Sequence, residues 1–126
     1  MRIPQSIRQR GFRKWYEREL MIGHSHLVLL LLCTLGFIGG LEAFSAPGAE
    51  RLLVAASLLA AAIIGVLALR RYLFVLTRAE FIANQAVCPQ CAVYARWLVE
   101  GDDAQGGGVR MQVCCRACSH RWQIAW

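Results

Sequence analysis

The chain has 126 residues, 57% of them apolar, and a net charge of +6. It is too short for two large cores and too apolar for an ordinary soluble domain. The basic balance invites a nucleic-acid reading, but the charge is spread in the wrong way for one. Residues 1–20 hold Arg2, Arg8, Arg10, Arg13, Lys14 and Arg18 against Glu17 and Glu19, a local +4. The segment 42–51 has Arg51 against Glu42 and Glu50, and 70–80 has Arg70, Arg71 and Arg78 against Glu80. From Ile82 onward Arg96, Arg110, Arg116 and Arg121 face Glu100, Asp102 and Asp103, which leaves only +1 in the cysteine-rich tail.

In chain order, residues 1–20 read as a basic amphipathic lead. Phe12, Trp15, Tyr16 and Leu20 fall at helical spacings, and the aromatic pair precedes an apolar stretch as interfacial anchors do. Leu27–Leu41 carries no charge for 15 residues, or 21 counted from Met21. Leu52–Leu69 adds 18 more. A helix crosses a hydrocarbon core with about 20 apolar residues, so both stretches predict transmembrane helices, at 21–44 and 52–71. A buried soluble helix is the competing reading of the shorter run. Small residues at Ala43-Phe44-Ser45 also suggest signal-peptide cleavage, but the lead before Leu27 is long for that and Pro47 follows awkwardly.

The flanks set an orientation. Basic segments stay in the cytoplasm, so both termini are expected there, with a short extracytoplasmic loop at 45–51. In the first span Ile22, His26, Leu29, Cys33, Gly36 and Gly40 share a face, and Gly36-x-x-x-Gly40 opens it for close approach. Ser57, Ala61 and Gly65 answer in the second span, which predicts an antiparallel helical hairpin or pairing with another protein's helix. His24 and His26 point about 200° apart on a helix and cannot clasp one metal ion, nor can His26 and Cys33, about 10 Å apart along the axis. The segment 72–86 lacks proline and glycine, so the second helix is expected to continue as a cytoplasmic extension toward Trp15 and Tyr16.

The remaining module, 87–126, is framed by Cys88-Pro89-Gln90-Cys91 and Cys115-Arg116-Ala117-Cys118. Two CxxC pairs supply the four thiolates of a tetrahedral metal site, and a reducing compartment would keep them from forming disulfides. Between them Tyr94–Glu100 favours a strand, Gly101-Asp102-Asp103 through Gly106-Gly107-Gly108 a turn, and Val109, Met111 and Val113 a half-buried strand; Trp122, Ile124 and Trp126 alternate in a third. Cys114 in place of Cys115 would give a less common CxxxC knuckle, and His120 is a further possible ligand. A sheet of this size is expected to depend on its ion for much of its folding free energy, roughly 10–16 kcal/mol for structural zinc in comparable peptides.

These knuckles, with Ser119-His120-Arg121-Trp122 behind the second, resemble the zinc-ribbon family over about a third of the chain. The resemblance implies structural Zn²⁺ held by Cys88, Cys91, Cys115 and Cys118. Zinc ribbons often carry glycine after each knuckle, where this chain has Ala92 and Ser119. The whole chain looks like two-span bacterial inner-membrane proteins of uncharacterised type. Cys-Pro-Gln-Cys also resembles a rubredoxin knuckle, which would imply iron.

The fold expected is therefore a membrane α-helical hairpin with a small C-terminal all-β zinc ribbon. No P-loop, nucleophile elbow, HExxH or paired-carboxylate pattern occurs, so a non-catalytic role without a small-molecule substrate is expected. The leading reading is an accessory, assembly or scaffold subunit of a membrane complex, docked through Trp97, Trp122 and Trp126. The alternatives are a membrane-tethered electron carrier and a nucleic-acid binder using Arg96, Arg110, Arg116, His120 and Arg121, the latter disfavoured by the module's low charge.

Overall fold

The computed structural model describes residues 3–45, 48, 50–102 and 110–125. Its elements are α1 (Ile3–Arg10), α2 (Phe12–Phe44), α3 (Arg51–Asn84), β1 (Trp97–Asp102), β2 (Arg110–Cys115) and β3 (Arg121–Ala125). Two long apolar helices are thus followed by a small antiparallel sheet of order β1-β2-β3. The chain forms two compact units, residues 1–20 with 76–126 and residues 21–75.

The lead does not form one continuous helix. Gly11 adopts φ +82°, a left-handed conformation that glycine enters without a Cβ penalty, and it separates α1 from α2. Helix α2 accordingly begins at Phe12, well before Met21. Helix α3 runs unbroken to Asn84, as a segment without proline or glycine permits.

In the first unit one core joins the sheet to the helices. Ile7, Phe12, Trp15, Ala79, Ile82, Ala86, Trp97, Val99, Met111, Val113 and Ile124 are all buried in it. The alternation along β2, with Met111, Val113 and Cys115 inward and Arg110 and Gln112 outward, follows the pleat. The sheet's apolar face is therefore covered by residues 7–15 and 79–86, an apolar contribution to its folding that the metal module's own sequence did not disclose. Arg8 fastens α1 to β1 by donating to the Glu100 carbonyl at 3.0 Å, beside the register shift between Val99 and Gly101. Glu19 and Arg78 join α2 to α3 through an ion pair of 2.8 Å. The glycine-rich turn at 106–108, Val109 and Trp126 lie outside the described residues.

In the second unit α2 and α3 pack through small residues, but not along the expected seam. An added Cβ on Gly40 would meet Leu58 Cδ2 at 2.7 Å, and one on Gly65 would meet Cys33 Cβ at 3.5 Å. Gly36 has nothing within 4 Å, and Leu29 is exposed. Gly23 meets Tyr72, and Leu30 meets Gly65. The contact face therefore keeps Cys33 and Gly40 but turns toward Gly23 and Leu30, and away from Leu29 and Gly36. Apolar residues surround the whole helix, so hydropathy contains no signal for that rotation. Leu31, Leu32, Leu35, Leu59, Ile63 and Leu67 point outward, at 53–67% exposure. Both long helices are long and apolar enough to cross a membrane.

Candidate metal centre

Both knuckles fold by the same local rule. In the first, the Cys88 N–H donates to the Val93 carbonyl at 3.1 Å and the Ala92 N–H to the Cys88 carbonyl at 2.9 Å. In the second, the Cys115 N–H donates to the His120 carbonyl at 2.9 Å and the Ser119 N–H to the Cys115 carbonyl at 3.1 Å. Closing each turn in this way requires a left-handed residue directly after the second cysteine. Ala92 has φ 57° and Ser119 φ 61°, the conformation glycine would occupy most easily. Ala92 and Ser119 thus adopt this backbone shape and accept its steric cost.

The sheet then brings the knuckles together. Trp97 at the start of β1 lies opposite Cys115 at the end of β2. The Arg116 N–H donates to the Arg96 carbonyl at 2.9 Å, which ties the second knuckle to the strand leaving the first. As a result the sulfurs of Cys88, Cys91, Cys115 and Cys118 all lie within 4.8 Å of one another. Cys88 and Cys118 are 3.5 Å apart, and Cys91 and Cys115 are 3.6 Å apart. A tetrahedral ion with metal–sulfur bonds of about 2.3 Å needs sulfur separations of about 3.8 Å. The four cysteines can hold a metal ion, and this donor geometry accepts zinc or iron alike.

Backbone donors prepare two of the thiols for deprotonation. The N–H groups of Cys118 and Ala117 hold the Cys115 thiol down to about 7. Burial pushes the Cys88 thiol up, but the N–H groups of Cys91 and Gln90 outweigh it and leave it below its ordinary value. Cys118 goes the other way. The His120 N–H pulls it down, yet burial and the three neighbouring sulfurs together push it up to about 12. Cys91 is likewise raised, the Val93 N–H being outweighed by burial and by Cys115 and Cys88. Four thiolates this close repel one another, and a cation among them removes that obstacle.

The remaining candidates fall elsewhere. Cys114 is half-buried in β2, paired across the sheet with Leu98 and Arg121, and its Sγ approaches the Ser119 carbonyl at 3.6 Å. His120 stacks on Trp122, with ring centroids 6.3 Å apart and planes at 15°. His26 uses Nδ1 on the Ile22 carbonyl of its own helix, and Cys33 belongs to the second unit.

The tryptophan docking surface needs correction. Trp97 is 5% exposed and belongs to the core, with its indole N–H donating to the Ala86 carbonyl at 3.1 Å. Trp122 is half-buried and donates to the Gln85 carbonyl at 3.1 Å, while Trp126 lies outside the described residues. A sheet this small has few other large side chains with which to fill its interior. Among the described residues of this unit, the large apolar side chains that are exposed are instead Phe81, Val87, Tyr94 and Leu98. Sequence reasoning missed Gln85, whose neighbours had no motif to mark it.

Compared with known proteins, the chain matches no family model, no curated protein and no solved structure. What fold and site define is a class: a four-cysteine cluster able to hold a metal ion, on a small sheet, in a chain with two membrane-length apolar helices.

Proposed function

We propose that this protein is a non-catalytic, membrane-anchored zinc-ribbon protein that serves as an accessory, assembly or scaffold subunit of a larger membrane complex. The observation that carries the reading is the closure of the four-sulfur cluster. An ion with four cysteine ligands has no open position for water or substrate, which supports a non-catalytic centre. The outward leucines and isoleucines of α2 and α3 support insertion in a bilayer, since surface of this kind is unstable against water. The basic flanks support an inner-membrane protein with both termini in the cytoplasm. Metal then rigidifies a platform whose exposed Phe81, Val87, Tyr94 and Leu98 meet a protein partner.

The test is purification of the tagged full chain in gentle detergent at native expression, with mass spectrometry of co-purifying proteins and metal analysis. A stoichiometric membrane partner together with one zinc per chain is the expected result. A partner-free homo-oligomer would overturn the accessory role.

A second reading, a rubredoxin-like electron carrier, draws on the exposure of Cys118, which offers electrons a short path to the surface. Colour separates the two: a ferric four-thiolate centre is red and a zinc centre colourless.

A further inference from the structure

The first unit contains a cleft of about 480 Å³ lined by Arg10, Gly11, Phe12, Arg13 and Lys14 on one side and by Ala95, Arg96, Trp97, Arg116 and Ala117 on the other. Five of these ten residues are cationic and none is acidic. The ion pairs among the described residues lie elsewhere, at Glu19–Arg78 and Glu100–Arg121, and none of the five cleft cations takes part in one. Arg13 of α2 and Arg116 of the second knuckle reach one cleft only through the packing of α2 on the sheet.

The walls explain why this concentration of charge is held in place. Gly11 turns the chain so that α2 starts at the cleft, and the first helical bond there is Trp15 N–H to the Gly11 carbonyl at 3.1 Å. The N–H groups of Phe12, Arg13 and Lys14 precede that bond and add the positive end of a 33-residue helix. Opposite, Arg116 is set by its own N–H bond to the Arg96 carbonyl, within the second knuckle. The rings of Phe12 and Trp97, 5.2 Å apart, form an apolar floor. Like charges gathered in one concavity raise its potential, and the state is relieved by a bound anion.

We infer that this cleft binds a phosphate-bearing organic anion. Guanidinium forks match phosphate oxygens bidentately, and four of the five cations are arginines. Ligand pockets run from about 300 to about 1,000 Å³, so the volume suits a phosphate ester with its organic part rather than a bare ion. Five positive charges favour a ligand carrying more than one negative charge. Such chemistry is found in an anionic phospholipid headgroup and in a soluble polyphosphate such as a nucleoside triphosphate. This inference does not depend on the identity of the metal or of a protein partner.

The full chain in neutral detergent is titrated with adenosine triphosphate and, separately, reconstituted in nanodiscs with or without phosphatidylglycerol, binding being followed by tryptophan fluorescence and native mass spectrometry. Saturable binding of either probe is expected, and which probe binds assigns the source of the phosphate. R13Q/R116Q should weaken it about 25-fold, at about fivefold per basic residue. R110Q/R121Q removes the same charge from the same unit outside the cleft and should leave affinity within about twofold. Circular dichroism and metal content confirm that both variants are folded. Equal weakening by both pairs, or no saturable binding of either probe, overturns the inference. Length-dependent oligonucleotide binding that neither probe displaces would also overturn it, by assigning the surface to nucleic acid.

Discussion

The side chain of Gln85 pairs in both directions with the backbone of Ala125: its Oε1 accepts from the Ala125 N–H at 3.0 Å and its Nε2 donates to the Ala125 carbonyl at 3.3 Å. β3 is an edge strand of the sheet, and the amide supplies there what a neighbouring strand would. The end of helix α3 and the turn that follows it thus hold the sheet by the polar bonds of Gln85 as well as by the burial of Ile82 and Ala86.

Gln85→Ala should therefore destabilise the metal-loaded chain by about 1–3 kcal/mol, because it leaves a half-buried donor and acceptor unpaired. Gln85→Glu keeps the acceptor but sets a carboxylate against the Ala125 carbonyl, and should be at least as damaging. Denaturant unfolding in detergent, read by tryptophan fluorescence, checks both; an unchanged midpoint would refute the role given to this amide.

The left-handed residues after the knuckles carry a steric cost that glycine would remove. Ala92→Gly and Ser119→Gly should each stabilise the folded module by about 0.5–1 kcal/mol, after the larger backbone entropy of glycine in the unfolded chain is counted. Ala92→Val should do the reverse, since a β-branched residue tolerates positive φ least. Competition for metal against a chelator reads the order Gly, Ala, Val directly.

Metal affinity should fall as the pH falls. Cys91 and Cys118, raised above their ordinary values, keep their protons in the metal-free protein and must release them on binding. Cys115, held to about 7, begins to need deprotonation as well once the pH drops below that value. Acid therefore adds protons that the metal must displace, and the sign is fixed. Chelator competition between about pH 6 and about pH 8, with proton release measured in a weak buffer, provides the check. Cys88→Ser should abolish high-affinity binding, whereas Cys114→Ser should leave one metal per chain.

Gly36 and Gly40 of the first apolar helix should behave differently. A Cβ at Gly40 would sit 2.7 Å from Leu58 Cδ2, whereas one at Gly36 would meet nothing within 4 Å. Gly40→Val should loosen the packing of α2 on α3 by about 1–3 kcal/mol, the usual cost of overpacking. Gly36→Val should be close to neutral. Thermal denaturation of the two variants in the same detergent separates them.

Local information sufficed for much of this protein. Two uncharged stretches of membrane length, strand alternation at Met111 and Val113, and paired cysteines two residues apart each express a rule that acts over a few neighbouring residues, and the helices, the strands and the convergence of Cys88, Cys91, Cys115 and Cys118 follow from them. The tertiary structure decided what depends on residues remote in the chain. It put Trp97 in the core instead of on a docking surface, because Phe12, Trp15 and Ile82 complete a core that the sheet cannot close by itself. It turned the hairpin contact from Gly36 to Leu30, because an apolar helix has no polar face to mark its rotation. It also gathered Arg10, Arg13 and Lys14 with Arg96 and Arg116 around one cleft, since charge has no periodicity that reveals which distant partners a fold will bring beside it.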